Sequence, residues 1–279
     1  MPSRVAVIAL FAVAAVRPAA GQGDIPIDVD DGAQAAYIAL TATPVGAVSS
    51  WLVYQLGDAA SRGTSIRAHF GNISEEGDFS RRTLAVGVDL ALAGGTLGLT
   101  GGFHDFACDE DELGGIGGED VEVECGGGFI LGANWATPLL RSPLGTGGST
   151  TFTLGLDATL GLGMGDILEI SAGSLSAELE ATSFSATAGV PLMLTARSGN
   201  VTFVPHLTPR LGFGHLSVDF DVPGLGSEDE SESGLRAMLG GGLGILFESS
   251  GFGFDVGFQK VFVEDGNTLL GVGVRKLFR

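Results

Sequence analysis

From Ser149 to Asp166 the chain reads STTFTLGLDATLGLGMGD, and its large apolar residues fall on one parity: Phe152, Leu154, Leu156, Leu160, Leu162 and Met164. The other parity holds Thr151, Thr153, Gly155, Asp157, Thr159, Gly161 and Gly163. A period of two marks an extended strand whose two faces meet different surroundings. The pattern recurs. In 82–92, Leu84, Val86, Val88, Leu90 and Leu92 oppose Thr83, Ala85, Gly87, Asp89 and Ala91. In 251–263, Phe252, Phe254, Val256, Phe258 and Phe262 oppose Gly253, Asp255, Gly257 and Gln259. In 268–278, Leu270, Val272, Val274 and Phe278 oppose Gly271, Gly273 and Arg275.

Ten such segments follow residue 63: 64–73, 82–92, 95–106, 127–140, 150–164, 183–196, 201–218, 234–247, 251–263 and 268–278. Most have the ~9–11 residues that a tilted strand needs to cross a bilayer. Their connectors alternate in length. Long ones are 74–81, 107–126, 165–182 and 219–233; short ones are 93–94, 197–200 and 248–250, with 141–149 intermediate. A soluble barrel needs large apolar residues inside and polar ones outside. Here one face is large and apolar and the other small and polar, so lipid lies outside and a polar lumen inside. The pattern predicts an all-β fold: a closed, antiparallel, up-and-down transmembrane β-barrel over 64–279, with ten strands. Closure removes the sheet edges that lipid does not tolerate.

The last segment, TLLGVGVRKLFR, alternates to an aromatic at the chain end and resembles the C-terminal strand of bacterial outer-membrane β-barrel proteins. Phe278 is penultimate here and Arg279 follows it. The resemblance covers the architecture of 64–279 and no one activity. It implies the bacterial cell outer membrane as location, outer-membrane lipid as surroundings, and the outer-membrane assembly machinery as a partner that reads this strand. Long connectors then face the exterior and short ones the periplasm.

The remainder divides in two. Residues 1–22 read as a signal peptide, with Arg4 in the n-region, an apolar run from Val5 to Val16, and Ala19-Ala20-Gly21 near a cleavage site. Residues 23–63 are a periplasmic segment, a plug or an extra hairpin. In the last case Tyr37–Thr43 and Ser50–Leu56 flank a turn at Pro44 and Gly46, and the barrel has twelve strands.

Composition agrees with a barrel. Forty-seven glycines and 44% hydrophobic residues give a mean hydropathy of +0.35. No internal run approaches the ~20 apolar residues of a membrane helix. The net charge of −19 argues against nucleic acid, which is held through Lys and Arg. The acids gather in the long connectors, among them Asp109, Glu110, Asp111 and Glu112 in the second and Asp219, Asp221, Glu228, Asp229, Glu230 and Glu232 in the fourth. These acidic loops are expected to attract divalent cations, but no EF-hand spacing is present. Gly240 to Gly244 lacks the Lys-Ser/Thr of a phosphate loop. No cofactor and no metal centre are expected. Cys108 and Cys125, in an exported chain, suggest a disulfide across an acidic, Gly-rich loop.

The lumen face carries the candidate chemistry. Arg67, Asp89, His104, Asp157, His206, Arg210, Arg236, Asp255 and Arg275 share that parity and are expected to form a polar network of ion pairs. A ten-stranded lumen is narrow enough for side chains to fill it. His104-Asp105, near the outer end of its strand, resembles the place where proteases of the omptin family carry an Asp/His site. That likeness stops at the dipeptide, with no second paired-carboxylate motif. The expectation is a structural or surface-interaction protein without enzymatic activity. The alternatives are a narrow porin or transporter for small solutes, and a membrane-embedded hydrolase or acyltransferase.

Overall fold

The computed structural model describes residues 64–74, 79–92, 94–108, 121–145, 149–172, 175–222, 226–262 and 268–278. The expected signal peptide and all of 23–63 lie outside the described residues. Among the described residues the strands are β1 (Thr64–Ser74), β2 (Phe79–Leu92), β3 (Gly95–Cys108), β4 (Val121–Cys125), β5 (Gly127–Leu144), β6 (Thr150–Ala172), β7 (Leu175–Gly189), β8 (Leu192–Ser198), β9 (Val201–Val222), β10 (Gly226–Phe247), β11 (Phe252–Val261) and β12 (Thr268–Phe278).

Every ladder is antiparallel, and β12 returns to pair with β1, so the sheet closes. Two wall positions are shared by pairs of strands. β4 and β5 both pair with β6, with Gly126 between them. A side chain at Gly126 would run into the Asp166 backbone, so the break needs glycine. β7 and β8 both lie between β6 and β9 and are split at Val190-Pro191, where proline has no N–H to give. The seam is held there by Gly155 N–H to the Pro191 carbonyl at 3.0 Å and Val190 N–H to the Pro209 carbonyl at 3.1 Å. The result is a closed barrel of ten wall strands.

The two faces part as their residue types require. Along β6, Leu156 is 43% exposed on the outside and Thr153 is 0% exposed on the inside. Ile66, Phe70, Leu84, Val86, Leu99, Phe103, Leu131, Leu160, Leu211 and Val272 continue the exposed apolar exterior. In water such a belt would cost about 25 cal/mol for each Å² of apolar surface left uncovered; in lipid it costs nothing. Exposed aromatics mark both margins of the belt. Phe203, Phe247, Phe252 and Phe278 lie toward the short turns, and Phe70, Phe103, Phe129, Phe184 and Phe213 toward the other end. On β9, Phe203 and Phe213 stand ten residues apart. At about 3.3 Å per residue and a tilt of about 40° this rises roughly 25 Å, the height of an outer-membrane apolar band.

The short turns are tight. Gly94, Gly199 and Gly251 have φ of 87°, 58° and 69°, a region open to glycine. Neighbouring turns are tied: Ser249 N–H donates to Asn200 Oδ1 at 2.8 Å, and Arg197 Nε lies 3.3 Å from Glu248 Oε1.

Two expectations need correction. The segments 165–182 and 219–233 are not mainly loops. β6 runs on to Ala172, β7 begins at Leu175, β9 runs to Val222 and β10 begins at Gly226. β6, β9 and β10 therefore have 23, 22 and 22 residues, against 11, 10 and 11 for β1, β11 and β12. One side of the barrel stands as a tall wall above the belt. The second correction concerns the inner face, which is not uniformly small and polar. Ala136, Met193, Val204 and Leu246 form a buried apolar cluster on β5, β8, β9 and β10. Residues with no lipid to face still have to fill volume, and medium apolar side chains do it without needing hydrogen-bond partners.

Candidate functional site

Two regions concentrate charge: the lumen, and the outer face of the tall wall. In the lumen the register brings β1, β2 and β12 together. Arg67 is opposite Arg275 across β1–β12, and opposite Gly87 across β1–β2. Asp89 pairs with Ser65 and Gly98. Arg67 Nη1 lies 3.3 Å from Asp89 Oδ1, and Arg275 Nη1 lies 3.9 Å from Asp89 Oδ2. Ser65 Oγ donates to the same carboxylate at 2.9 Å. Arg67 Nη2 also donates to Thr100 Oγ1 at 2.5 Å and to Asn134 Oδ1 at 3.4 Å. Arg67, Asp89 and Arg275 are 1%, 0% and 2% exposed. Asp255, on β11 next to β12, is buried as well.

A second group sits on β6, β9 and β11. Arg210 grips Asp157 with both ends of its fork, Nη2 to Oδ2 at 2.6 Å and Nε to Oδ1 at 3.5 Å. Its Nη1 donates to Gln259 Oε1 at 3.5 Å. Two-point pairing of this kind fixes orientation as well as charge. Glycines make room for both groups. A Cβ at Gly87 would stand 2.5 Å from Arg67 Nε, and one at Gly189 would stand 2.5 Å from Arg210 Cγ and from Asp157 Oδ1. The long side chains lie flat over bare backbone of the neighbouring strand.

The structure thus brings together Arg67, Asp89 and Arg275 in one group and Asp157 with Arg210 in another. Asp255 lies in the charge field of Arg275 and Arg67, and His206 in that of Arg210 and Asp157. His206 is half-buried, with Nδ1 3.5 Å from the Val204 carbonyl. Arg236 donates to the carbonyl of Leu235 at 2.7 Å, where the tall wall begins. His104 is buried on the lumen side while Asp105 is exposed, so adjacent residues of one strand point to opposite faces. Sequence reasoning missed Ser65, Thr100, Asn134 and Gln259 as partners. Their polarity and inward parity were the available signal. The residues each one meets depend on register across the sheet.

Outside, the tall wall carries carboxylates in register. Glu124, Glu169, Glu178 and Asp221 are successive partners across β4, β6, β7 and β9. Asp166, Glu180, Asp219 and Asp229 are successive partners across β6, β7, β9 and β10. All eight are exposed. Directly opposed residues share a face with Cβ atoms roughly 5 Å apart, so these are two adjoining rows of like charge. Among the described residues no group of His, Cys, Asp and Glu is arranged to hold a metal ion. Cys125 ends β4 and is disulfide-bonded; the side chain of Cys108 lies outside the described residues.

No family model matches the sequence, and no curated protein matches it. Solved structures do match in shape. The outer membrane protease OmpT from Escherichia coli is 7% identical with a TM-score of 0.43, over 77% of this chain and 96% of that one. The translocator domain of autotransporter NalP from Neisseria meningitidis is 13% identical with a TM-score of 0.41, over 90% and 99%. Ail, the attachment invasion locus protein of Yersinia pestis, is 17% identical with a TM-score of 0.29, over 76% and 96%. The expectation of no enzymatic activity is corrected by this finding: a protease is among the barrels that this chain resembles, so the architecture does not exclude catalysis.

Proposed function

We propose that this bacterial outer-membrane β-barrel works at the cell surface, through the acidic outer face of its tall wall, in a structural or surface-interaction role. The observation that carries the reading is the pair of carboxylate rows, Glu124–Glu169–Glu178–Asp221 and Asp166–Glu180–Asp219–Asp229. Directly opposed like charges cost stability. Holding eight of them on an ordered sheet above the apolar belt is hard to explain by folding alone. The packed lumen supports the same reading, since its buried Arg–Asp groups occupy the path a solute would take.

In this reading the tall wall faces the exterior and the short turns face the periplasm. Divalent cations gather diffusely along the acid rows and screen them, over a Debye length of about 8 Å at physiological salt. Cys108 is the partner of Cys125, tying the end of β3 to the end of β4 and restraining 109–120. Cys125 is disulfide-bonded and Cys108 is the chain's other cysteine, which supports the pairing. Closing a loop of this size contributes roughly 3 kcal/mol in the chain-entropy picture.

Epitope insertion tests the reading. A tag at Gly224, between β9 and β10, is expected to be reached by antibody on intact cells, and one at Gly199, between β8 and β9, only after the outer membrane is opened. The reverse pattern would overturn the proposal.

A further inference from the structure

We infer that the upper edge of β10, Gly226 to Leu235, is a docking edge for a cationic, extended polypeptide that adds to the tall wall as a further strand. This rests on the surface-interaction reading above and names the chemistry of the partner.

The observation is a mismatch between two ladders. β10 pairs with β9 along its whole length, from Gly226↔Val222 to Phe247↔Val201. It pairs with β11 only from Met238↔Val261 to Phe247↔Phe252. Phe262 N–H still reaches the Ala237 carbonyl at 2.9 Å. Among the described residues nothing pairs with β10 beyond that point on its β11 side. Ala237 turns its carbonyl toward β11, and backbone groups alternate along a strand. Ser227, Asp229, Ser231, Ser233 and Leu235 therefore point their N–H and C=O groups into the open edge. An edge of this length that none of the described residues pairs is a template for another strand.

Charge selects the occupant. Along the edge Glu230 and Glu232 share the inward parity of Val218 and Leu216, and Asp229 shares the outer face with Asp219 and Asp221 of the adjoining strand. A second copy of this edge would oppose acid to acid. Residues 23–63 of the same chain are also a poor fit, since they hold Asp24, Asp28, Asp30, Asp31 and Asp58 against the single cation Arg62. A segment with Lys or Arg on alternate positions puts its cations along one of these two acidic faces and its own backbone groups against the edge. Acids on an edge strand are also a known defence against self-association, and here they turn that defence into selection.

The experiment uses the full chain in detergent micelles and a ten-residue synthetic peptide alternating Lys with Thr or Val. Three comparisons are made by calorimetry: the same peptide N-methylated on every backbone amide, so that neither of its edges can pair, a Glu-for-Lys version, and the Ser231→Pro chain. Ser231 gives its N–H to the open side, so proline removes one edge donor and leaves the β9 ladder intact. Binding of the Lys peptide, about tenfold or more weaker with the N-methylated peptide and with Ser231→Pro, and absent for the Glu peptide, is the expected result. Equal binding of plain and N-methylated peptides would overturn the edge while leaving surface attraction of cations in place. Equal binding of Lys and Glu peptides would overturn the charge selection. No binding of the Lys peptide would overturn this inference while the epitope test above still decides the wider reading. The N-methylated probe leaves the protein untouched, so the test stands even if Ser231→Pro does not fold.

Discussion

Carboxylates in the lumen and carboxylates on the tall wall are the same chemical groups under opposite rules. Asp89 is surrounded by Arg67, Arg275 and Ser65, and Asp157 is held by both ends of Arg210. On the outer face Glu178 has Glu169 on one side and Asp221 on the other. A buried charge without a counter-charge costs several kcal/mol, and Asp89 and Asp157 accordingly stand beside arginines. Exposed charges in high dielectric and salt repel by far less, and the wall can carry them unpaired. Pairing inside reflects what folding requires. Its absence outside is a choice that folding does not require, which makes the outer rows the better place to look for function.

Breaking the inner pairing gives the largest effect. Asp89→Ala leaves two buried arginines without their shared partner and should destabilise the barrel by about 3–5 kcal/mol. Urea unfolding in detergent micelles measures this, and a change within error of wild type would show that the group is hydrated. Leu156→Arg comes next, at about 2–4 kcal/mol if it lies near mid-bilayer. The heat-modifiable gel shift of the assembled barrel should be largely lost from membranes. Gly189→Ala should cost about 1–3 kcal/mol, because its Cβ would press on Arg210 and Asp157. Unfolding midpoints of Gly189→Ala in the wild-type and in the Asp157→Ala background sharpen the point, since a smaller cost of Gly189→Ala where the carboxylate is gone locates the clash. The smallest effect has the opposite sign. Glu178→Gln with Asp221→Asn should stabilise by about 0.2–1 kcal/mol at low salt, and the gain should fade as salt rises.

The barrel itself was legible because lipid and lumen impose a strict period of two. That period located all ten wall strands and set the face of Leu156 and Thr153. It failed above the belt for a physical reason. In Leu216–Val222 and Gly226–Gly234 both faces of the sheet can meet water, so acids replace the apolar row and a strand reads as a loop. Alternation had not vanished there: Leu216, Val218 and Phe220 still keep the inward parity beside Asp219 and Asp221. Parity also showed which charges enter the lumen, but it could not say that Arg67 meets Asp89 while Arg236 turns to the Leu235 carbonyl. Partners follow from register between strands, and register is a property of the closed sheet. The apolar cluster of Met193, Val204 and Leu246 was hidden in the same way. Val204 and Leu246 sit on the lumen parity among small and polar residues, and only closure brings them together.

The packed, charge-paired lumen is tested most directly by conductance. The purified chain in a planar lipid bilayer at high potassium chloride should give no steady single-channel current. Arg67→Ala with Asp89→Ala, which removes two of the three charged members of one group while leaving the net charge unchanged, should show openings above that baseline. A stable, uniform channel in the unaltered protein would contradict a lumen closed by its own side chains.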